Sequence, residues 1–422
     1  MLFHWLLPRN IGRPQHKTTS MGEVRQFALP QADTDGPLGY PRKPAAPVAG
    51  SQNMQQKNAA HWSVAHHSIN WVYILLPLLF IVISAPIRAQ EVVGVNRVNL
   101  AWLPTTQREA VLTQIARAGV RFVRLSLVPP YDASLDDLRA AKAAGLRILL
   151  IISLNQRPFY PKDVTPQPAS PGLNEAWPLS ALDPAAFASL IHPLWQKIVA
   201  ESLPVAAIEL GNEINWGDFN GDFKRHLRGQ TDSPNRLDAL PERGAYLAGL
   251  NKYLDLLGLV RNWRAESPAA AKIQVVTAGL ATVPAEFARR IGLDVADPSE
   301  TLAFLRGHGL AELATYAGLH FYPDAHVRTA DRHAALVAAL RPCSIDMPCW
   351  ITEWGVSDPA ASCAPEAAER EVIVREVRQD FARMAVEKRI AATFLFDWDG
   401  PDPTFAVWRC GKLTPAGRAA FN

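Results

Sequence analysis

Cysteine is scarce in this sequence, with four copies in 422 residues. The four form no Cys-x-x-Cys pair and no cluster with histidine, so the pattern does not predict a zinc site. Net charge is also small, because 43 basic residues and 40 acidic residues leave only +3 at pH 7. A charge this close to zero does not predict binding to nucleic acid or to anionic lipid.

The first part of the chain lacks periodic apolar pattern, and its richness in Pro, Gln, His and Ser predicts disorder over residues 1–69. The uncharged run from Trp71 to Ile83 is short for a membrane span but typical of the core of a secretory signal. Small residues follow it, and we expect cleavage after Ala89. The chain therefore divides into a disordered segment, a signal or anchor at residues 70–89, and a globular domain at residues 90–422.

A signal core that starts at residue 71 is unusual, because the preceding region is far longer than such signals allow. Translation starting at Met54 would give a signal of nearly ordinary size, and the residues before it would then be an over-extended start. The alternative is an uncleaved anchor, with membrane contact only through residues 71–83. Both interpretations predict a domain that is secreted, periplasmic or held at a membrane.

An even number of cysteines in an exported protein favours two disulfides. Four cysteines allow three pairings. The short loop between Cys343 and Cys349 favours that pair, which leaves Cys363 with Cys410.

Downstream of Glu91, short runs rich in Val, Ile, Leu and Phe alternate with longer helical stretches, a pattern typical of strand and helix units around a parallel sheet. The eight predicted strands are Val92 to Leu100, Arg121 to Leu127, Arg147 to Leu154, Val205 to Asn212, Ile273 to Ala278, Thr315 to Tyr322, Cys349 to Trp354 and Ala391 to Trp398. Eight units in this length predict an α/β fold, a (β/α)8 TIM barrel with enlarged loops after strands three and four. An open doubly wound sheet is the alternative, but no Gly-rich phosphate turn follows the first strand.

Six helices are predicted between these strands, and Gly119 and Gly145 are expected to end two of them in the left-handed conformation. The helical candidates are Thr106 to Ala118, Leu135 to Ala144, Pro184 to Ala200, Tyr246 to Glu266, Arg332 to Leu340 and Pro365 to Glu387.

A barrel of this kind carries its functional residues at the carboxyl ends of the strands. The candidates there are Arg124 on strand two, Asn212 and Glu213 after strand four, His320 and Tyr322 on strand six, Glu353 on strand seven and Trp398 on strand eight. Glu213 and Glu353 would face each other across one cleft. Cleavage of a glycosidic bond needs such a pair, with one acid to protonate the leaving oxygen and one carboxylate to attack or to activate water.

The other candidates have supporting tasks in this hypothesis. Asn212 can donate a hydrogen bond to a sugar hydroxyl beside the reacting carbon. Tyr322 and Arg124 are donors that would keep Glu353 ionised and therefore nucleophilic. Trp398 offers an apolar face for the C–H face of a sugar ring.

The segments GNE after strand four, HFY on strand six, TEWG on strand seven and the late Trp together resemble the clan A glycoside hydrolases, which are retaining enzymes on a (β/α)8 barrel. The resemblance implies that Glu213 is the acid/base and Glu353 the nucleophile. Within the clan, the chain resembles family 39, family 5 or endo-galactanase-like enzymes, and IELGNEIN is similar to the fourth strand of family 39 enzymes and endo-galactanases. Ile214 takes the place of the proline in the ordinary cellulase-like pattern. The family within the clan therefore stays open.

Several residues keep two interpretations. Strand alternation places Glu209 inside the barrel, where an ion pair with Arg124 is favoured over a role with substrate. His320 is either a core histidine or a subsite residue. Asp397 and Asp399 either cap the final loop or touch substrate. Tryptophans 216 and 354, which flank the glutamates, either line the cleft or pack.

The sequence thus predicts a retaining O-glycosidase acting on a polysaccharide or oligosaccharide, with no metal and no organic cofactor. We expect a monomer. One alternative is a non-catalytic envelope protein that binds glycans on a degenerate barrel. Another is a transglycosylase, which would share every residue named above and differ in how its acceptor site excludes water.

Overall fold

The computed structural model describes residues 91–422 except 171, 230–234, 359–362, 401 and 422. The predicted disordered and signal segments lie outside these described residues. The strands of the main sheet are β1 (Val92–Asn96), β2 (Phe122–Ser126), β3 (Arg147–Ile152), β4 (Val205–Leu210), β5 (Gln274–Val276), β6 (Leu280–Ala281), β7 (Ala317–Phe321), β8 (Cys349–Trp354) and β9 (Ile390–Leu395). In the described part of the chain, no helix has the length and apolarity needed to cross a membrane.

All nine strands belong to one parallel sheet in the order β5-β4-β3-β2-β1-β9-β8-β7-β6. The two end strands, β5 and β6, follow each other directly in the chain and are two pieces of one barrel strand. Parallel bridges from Asn212 to Gly279 and from Val276 to Tyr316 join this strand to both neighbours. The sheet therefore closes on itself, which confirms the predicted eight-stranded (β/α)8 barrel.

Helices cover the outside of the sheet. They are α1 (Thr105–Arg117), α2 (Tyr131–Ala143), α3 (Pro184–Ala200), α4 (Arg243–Arg264), α5 (Ala285–Ile291), α6 (Pro298–Gly307), α7 (Thr329–Ala339), α8 (Ala368–Val386) and α9 (Pro415–Phe421). All six predicted helices are confirmed, and Gly119 and Gly145 have the expected positive φ of 86° and 72°. The short helices α5, α6 and α9 were not predicted.

The start of α3 shows how local sequence sets these bounds. Asp183 accepts hydrogen bonds from the backbone N–H groups of Ala185 and Ala186. Pro184 lies in the first turn, where its lack of a backbone N–H costs no helical hydrogen bond. The same Asp-Pro pair begins α6, which was not predicted. There the Asp297 side chain accepts hydrogen bonds from the backbone N–H groups of Ser299 and Glu300.

Only the strand Cys349–Trp354 has both of its predicted bounds, and three of the other seven strands show the main differences. The first ends at Asn96 and the last at Leu395, both earlier than predicted, and the fifth is interrupted between Val276 and Leu280. After the third and fourth strands, where enlarged loops are predicted, α3 begins at Pro184 and α4 at Arg243.

The barrel interior is layered. Apolar side chains fill the part near the amino ends of the strands, where Leu149, Ala207, Val276, Trp350, Ala392 and Phe394 form a buried cluster. Nearer the carboxyl ends the buried side chains are polar: Asn96, Arg124, Glu209 and Thr352 are all 0% exposed. Because buried polar groups must find partners, this upper layer carries a continuous hydrogen-bond network.

Two disulfides join Cys343 to Cys349 and Cys363 to Cys410, as predicted. They are separated by 6 and 47 residues in the sequence. Disulfides of this kind are typical of proteins that fold in an oxidising compartment.

We predict that the two disulfides contribute unequally to the free energy of unfolding. Replacing both Cys363 and Cys410 by Ala frees the longer loop of the unfolded chain and should lower it by about 4 kcal/mol, against about 2 kcal/mol for the Cys343 and Cys349 pair. Denaturant titration of the two double variants measures the difference. Equal losses would contradict the chain-entropy explanation.

Candidate active site

A cavity of about 940 Å³ lies at the carboxyl ends of the strands. Five predicted site residues line it, namely Asn212, Glu213, His320, Tyr322 and Glu353. The other two, Arg124 and Trp398, are not among the lining residues.

Glu353, on β8, is held at both carboxylate oxygens. Arg124 donates from Nη1 to Oε1 at 2.5 Å, and the Tyr322 hydroxyl donates to Oε2 at 2.6 Å. Burial alone would raise the pKa of Glu353, but the positive charges of His320 and Arg124 and the hydrogen bonds from Tyr322 and Arg124 hold it below its usual value. The side chain is thus kept as an oriented carboxylate.

Arg124 is the centre of the buried polar layer. Its Nε donates to Glu209 Oε2 at 2.5 Å and its Nη2 to Asn212 Oδ1 at 3.1 Å, while Nη1 also donates to Asn96 Oδ1 at 2.8 Å. Arg124 and Glu209 both have fully buried side chains, which confirms the predicted ion pair inside the barrel. Because Arg124 has no exposed surface, it positions Glu353 and Asn212 and is not placed to touch a ligand in the cavity.

Glu209 accepts at both ends of its carboxylate. Opposite Arg124, its Oε1 accepts from the backbone N–H of Gly279 at 3.0 Å and from Thr352 Oγ1 at 2.8 Å. Gly279 must be a glycine, since a Cβ there would lie 2.1 Å from Nε2 of His320 and 2.6 Å from Oγ1 of Thr352. The missing Cβ of Gly279 therefore makes room for this network.

Glu213 follows β4 with a left-handed backbone conformation, φ 44°, which is uncommon for a residue with a side chain. Its backbone N–H donates to the Gly279 carbonyl at 2.9 Å, and its side chain is 14% exposed. Burial raises the pKa of Glu213. The hydrogen bond and charge of His320 oppose this rise, and the negative charge of Glu353 adds to it.

His320 lies between the two glutamates. Its Nδ1 is 2.8 Å from Glu213 Oε1 and 3.5 Å from Glu353 Oε2. Burial would lower the pKa of His320, but the charge of Glu353 and the hydrogen bond and charge of Glu213 raise it above its usual value. Its Nε2 has no hydrogen-bond partner in the described part of the chain and lies 4.0 Å from Glu209 Oε1.

One oxygen of Glu213, one nitrogen of His320 and one oxygen of Glu353 lie within 4.8 Å of one another. Such a set could in principle share a metal ion. Two features oppose metal binding. The Arg124 guanidinium already donates a hydrogen bond to Glu353 Oε1, and Nδ1 of His320 is already hydrogen-bonded to Glu213. A fixed positive charge beside the carboxylate repels a second cation.

The expectation that Trp398 faces a sugar ring is not met. Its side chain is fully buried, and its ring stacks on Trp408 with centroids 5.2 Å apart. The physical reason is that β9 ends at Leu395, so the chain has already turned when it reaches Trp398. The aromatic residue that the loop after β9 does bring to the cavity is Phe405, whose ring lies 5.4 Å from that of Tyr322.

The structure also gives the positions of the aspartates and tryptophans for which the sequence left two interpretations. Asp397 is buried, which raises its pKa to about 8, and it accepts from the Gly400 N–H, while Asp399 pairs with Arg97 at 2.5 Å. Neither aspartate is among the cavity residues. Trp216 both packs and lines the cavity, whereas Trp354 is buried against Phe381.

Sequence reasoning missed much of the lining. The loops after β3, β4 and β6 contribute Leu173, Phe219 and Val283 to it, helix α5 contributes Phe287, and the loop after β9 contributes Phe405. The one available signal was that long connections at this end of a barrel carry function. It identifies the loops but not the side chains.

No family model and no curated protein matches this sequence. Solved structures similar to this chain include ZgEngAGH5_4 (14% identity, TM-score 0.49, 79% of this chain and 96% of that one). A family 5 xyloglucanase from Paenibacillus pabuli (13%, 0.45, 79% and 98%) and a GH30 endoxylanase from Clostridium papyrosolvens C71 (11%, 0.41, 79% and 71%) are also similar. These are glycoside hydrolases, but at TM-scores below 0.5 we draw no functional conclusion from the likeness.

We predict that Glu209→Gln destabilises the protein strongly. A glutamine cannot accept at both ends, so either Arg124 or the Gly279 N–H loses its partner, and breaking a buried ion pair costs about 3 kcal/mol or more. Denaturant titration measures the loss. Glu201→Gln is the matched control, because Glu201 pairs with Arg139 at an exposed position where little change is expected. Equal losses in the two variants would contradict the role of Glu209.

Proposed function

We propose that this protein is a retaining glycoside hydrolase with Glu213 as acid/base and Glu353 as nucleophile. The observation that carries the proposal is the close approach of these two carboxylates, since one oxygen of Glu213 lies within 4.8 Å of one oxygen of Glu353. Retaining enzymes place their two carboxyl groups about 5–5.5 Å apart, whereas inverting enzymes need roughly 6.5–9.5 Å to admit a water molecule. The substrate class is a polysaccharide or oligosaccharide.

The opposite pKa shifts of the two glutamates support these roles. Glu353 is held ionised, so its oxygen can attack the anomeric carbon and form a covalent glycosyl ester. Burial raises the pKa of Glu213, which favours its protonated form, and in this role it gives a proton to the leaving oxygen as the bond breaks. If His320 donates from Nδ1 to Glu213 Oε1, the acidic proton sits on Oε2.

The second half of the reaction reverses these roles. Forming the ester removes the negative charge of Glu353, which is one of the charges that raise the pKa of Glu213. The pKa of Glu213 therefore falls at the moment when it must act as a base. It takes a proton from water, and the resulting hydroxide attacks the ester and releases the sugar with its original anomeric configuration.

Asn212 is the residue proposed to hold the sugar hydroxyl beside the reacting carbon. Its Oδ1 accepts from Arg124 and the residue lines the cavity, so in this proposal the amide N–H2 is the group that donates to the sugar. We propose that the catalytic domain is exported, with residues 70–89 as its signal or anchor. The two disulfides support an oxidising compartment.

The test is a hydrolysis screen against galactans, glucans, xylans, mannans and bacterial exopolysaccharides, with Glu353→Gln run in parallel. At least one glycan should be cleaved with retention of anomeric configuration. NMR spectroscopy of the released sugar measures that configuration. The variant should lose about four orders of magnitude in kcat while keeping its fold, because the nucleophile is gone. Near-normal hydrolysis by the variant would overturn the assignment. Binding across the panel without turnover would favour a glycan-binding protein, and transfer to sugars in place of water would identify a transglycosylase.

We predict a bell-shaped pH profile of kcat/KM. Activity should fall on the acid side as Glu353 is protonated, below the usual pKa of a glutamate, and on the alkaline side as Glu213 is ionised, above that value. Tyr322→Phe removes a hydrogen bond to ionised Glu353, so the acid limb should move to higher pH. An acid limb that stays in place or moves to lower pH in this variant would contradict the arrangement.

A further inference from the structure

Arg370, near the start of α8, is a buried arginine that the proposed mechanism does not yet use. Its side chain is only 2% exposed, and its Nη1 pairs with Glu366 at 2.7 Å. Its other hydrogen bonds all go to backbone carbonyls. Nε donates to that of Val356 at 2.8 Å, Nη2 to that of Phe405 at 2.6 Å, and Nη1 to that of Ala406 at 3.2 Å. Because the donors of a guanidinium lie in one rigid plane, these contacts fix the three carbonyls relative to one another.

The three carbonyls belong to two loops at the mouth of the barrel. The first lies in the loop after β8, shortly after Glu353, and the other two lie in the loop after β9. The backbone N–H of Asp358 donates to the Thr404 carbonyl at 2.8 Å, which joins the same two loops, and Arg409 pairs with Asp358 at 2.8 Å. Arg370 therefore ties the loop that follows the strand of the proposed nucleophile to the loop after β9.

Phe405 connects these two loops to Glu353. Its ring meets that of Tyr322 edge to face at 5.4 Å, and the Tyr322 hydroxyl donates to Glu353 Oε2 at 2.6 Å. Gly355 also packs against Phe405, since a Cβ on this glycine would lie 3.0 Å from a carbon of that ring. Aromatic rings in edge-to-face contact have a preferred geometry, so the direction of the Tyr322 hydroxyl depends on where Phe405 is held.

We propose that Arg370 is a positioning residue for the nucleophile. By fixing the carbonyl of Phe405, it keeps the phenylalanine ring against Tyr322, and this contact keeps the tyrosine hydroxyl on Glu353. Arg370 is not among the residues that line the cavity, so it acts through these side chains without touching the substrate. The inference rests on the proposed function and adds a residue of α8 on which the ionisation of the nucleophile depends.

The experiment measures the pH profile of kcat/KM for Arg370→Met, on the glycan that the hydrolysis screen identifies. Loss of the guanidinium removes a donor from three backbone carbonyls, so the loop after β9 should relax and the hydrogen bond from Tyr322 should weaken. The acid limb should then move to higher pH, because Glu353 loses a donor that stabilises its ionised form. At neutral pH, kcat/KM should fall about tenfold. Adding Tyr322→Phe should move the limb no further than Tyr322→Phe alone, since both changes act on one hydrogen bond.

Arg378→Met is the matched control. Arg378 is an arginine of the same helix and pairs with Glu91 at 2.7 Å, but Glu91 directly precedes β1, at the opposite end of the barrel from the cavity. This variant should lose stability while its acid limb stays in place. Arg370→Lys keeps a positive charge beside Glu366 and replaces the methionine variant if circular dichroism shows that the latter is unfolded. Because an ammonium cannot span all three carbonyls, the limb should still move to higher pH.

An acid limb that stays in place in the Arg370 variants would overturn the positioning role, and so would an equal shift in Arg378→Met. A shift that adds in full to that of Tyr322→Phe would do the same. NMR titration of the glutamate carboxyl carbons, assigned with Glu353→Gln, follows the ionisation of Glu353 without turnover. A wild-type protein that cleaves no glycan would overturn the proposed function, whereas an unchanged Glu353 titration in Arg370→Met would overturn this inference alone.

Discussion

A single buried guanidinium organises the mouth of this barrel. Arg124 is fully buried, and a buried charge is tolerated only when it is paired and hydrogen-bonded. Its partners come from three other strands and a loop: Asn96 on β1, Glu209 on β4, Glu353 on β8 and Asn212 just after β4. The same contacts that neutralise the charge also fix the position of the proposed nucleophile, so stability and chemistry depend on one network.

That network gives two glutamate side chains pKa shifts in opposite directions. Glu353 lies against Arg124, His320 and Tyr322, which hold its pKa down, whereas Glu213 lacks a contact with Arg124, and burial dominates its pKa. Two neighbouring titratable groups whose pKa values are shifted in opposite directions are suited to act as the acid and the base of one reaction. Gly279 contributes although it has no side chain, since its N–H binds Glu209, its carbonyl receives the N–H of Glu213, and its missing Cβ admits His320.

Much of this arrangement could be predicted because its signals are local. Runs of apolar residues identified all eight barrel strands, and strand alternation placed Glu209 inside the barrel with Arg124 as its partner. The ends of three strands located Asn212, Glu213, His320, Tyr322 and Glu353. The prediction for Trp398 was wrong because an apolar run does not reveal where the strand stops. β9 ends at Leu395, and the turn that follows buries the tryptophan against Trp408.

By itself the sequence determined the closed barrel, the two disulfides and the identity of the two facing glutamates, because each depends on periodicity, spacing or position along a strand. Only the tertiary structure decided the distance between the glutamates, the direction of each pKa shift and the sides of the cavity. Those properties depend on contacts between residues far apart in the chain, such as Arg124 with Glu353 or His320 with Glu213. Local pattern carries no information about which loops meet above the barrel and line the cavity.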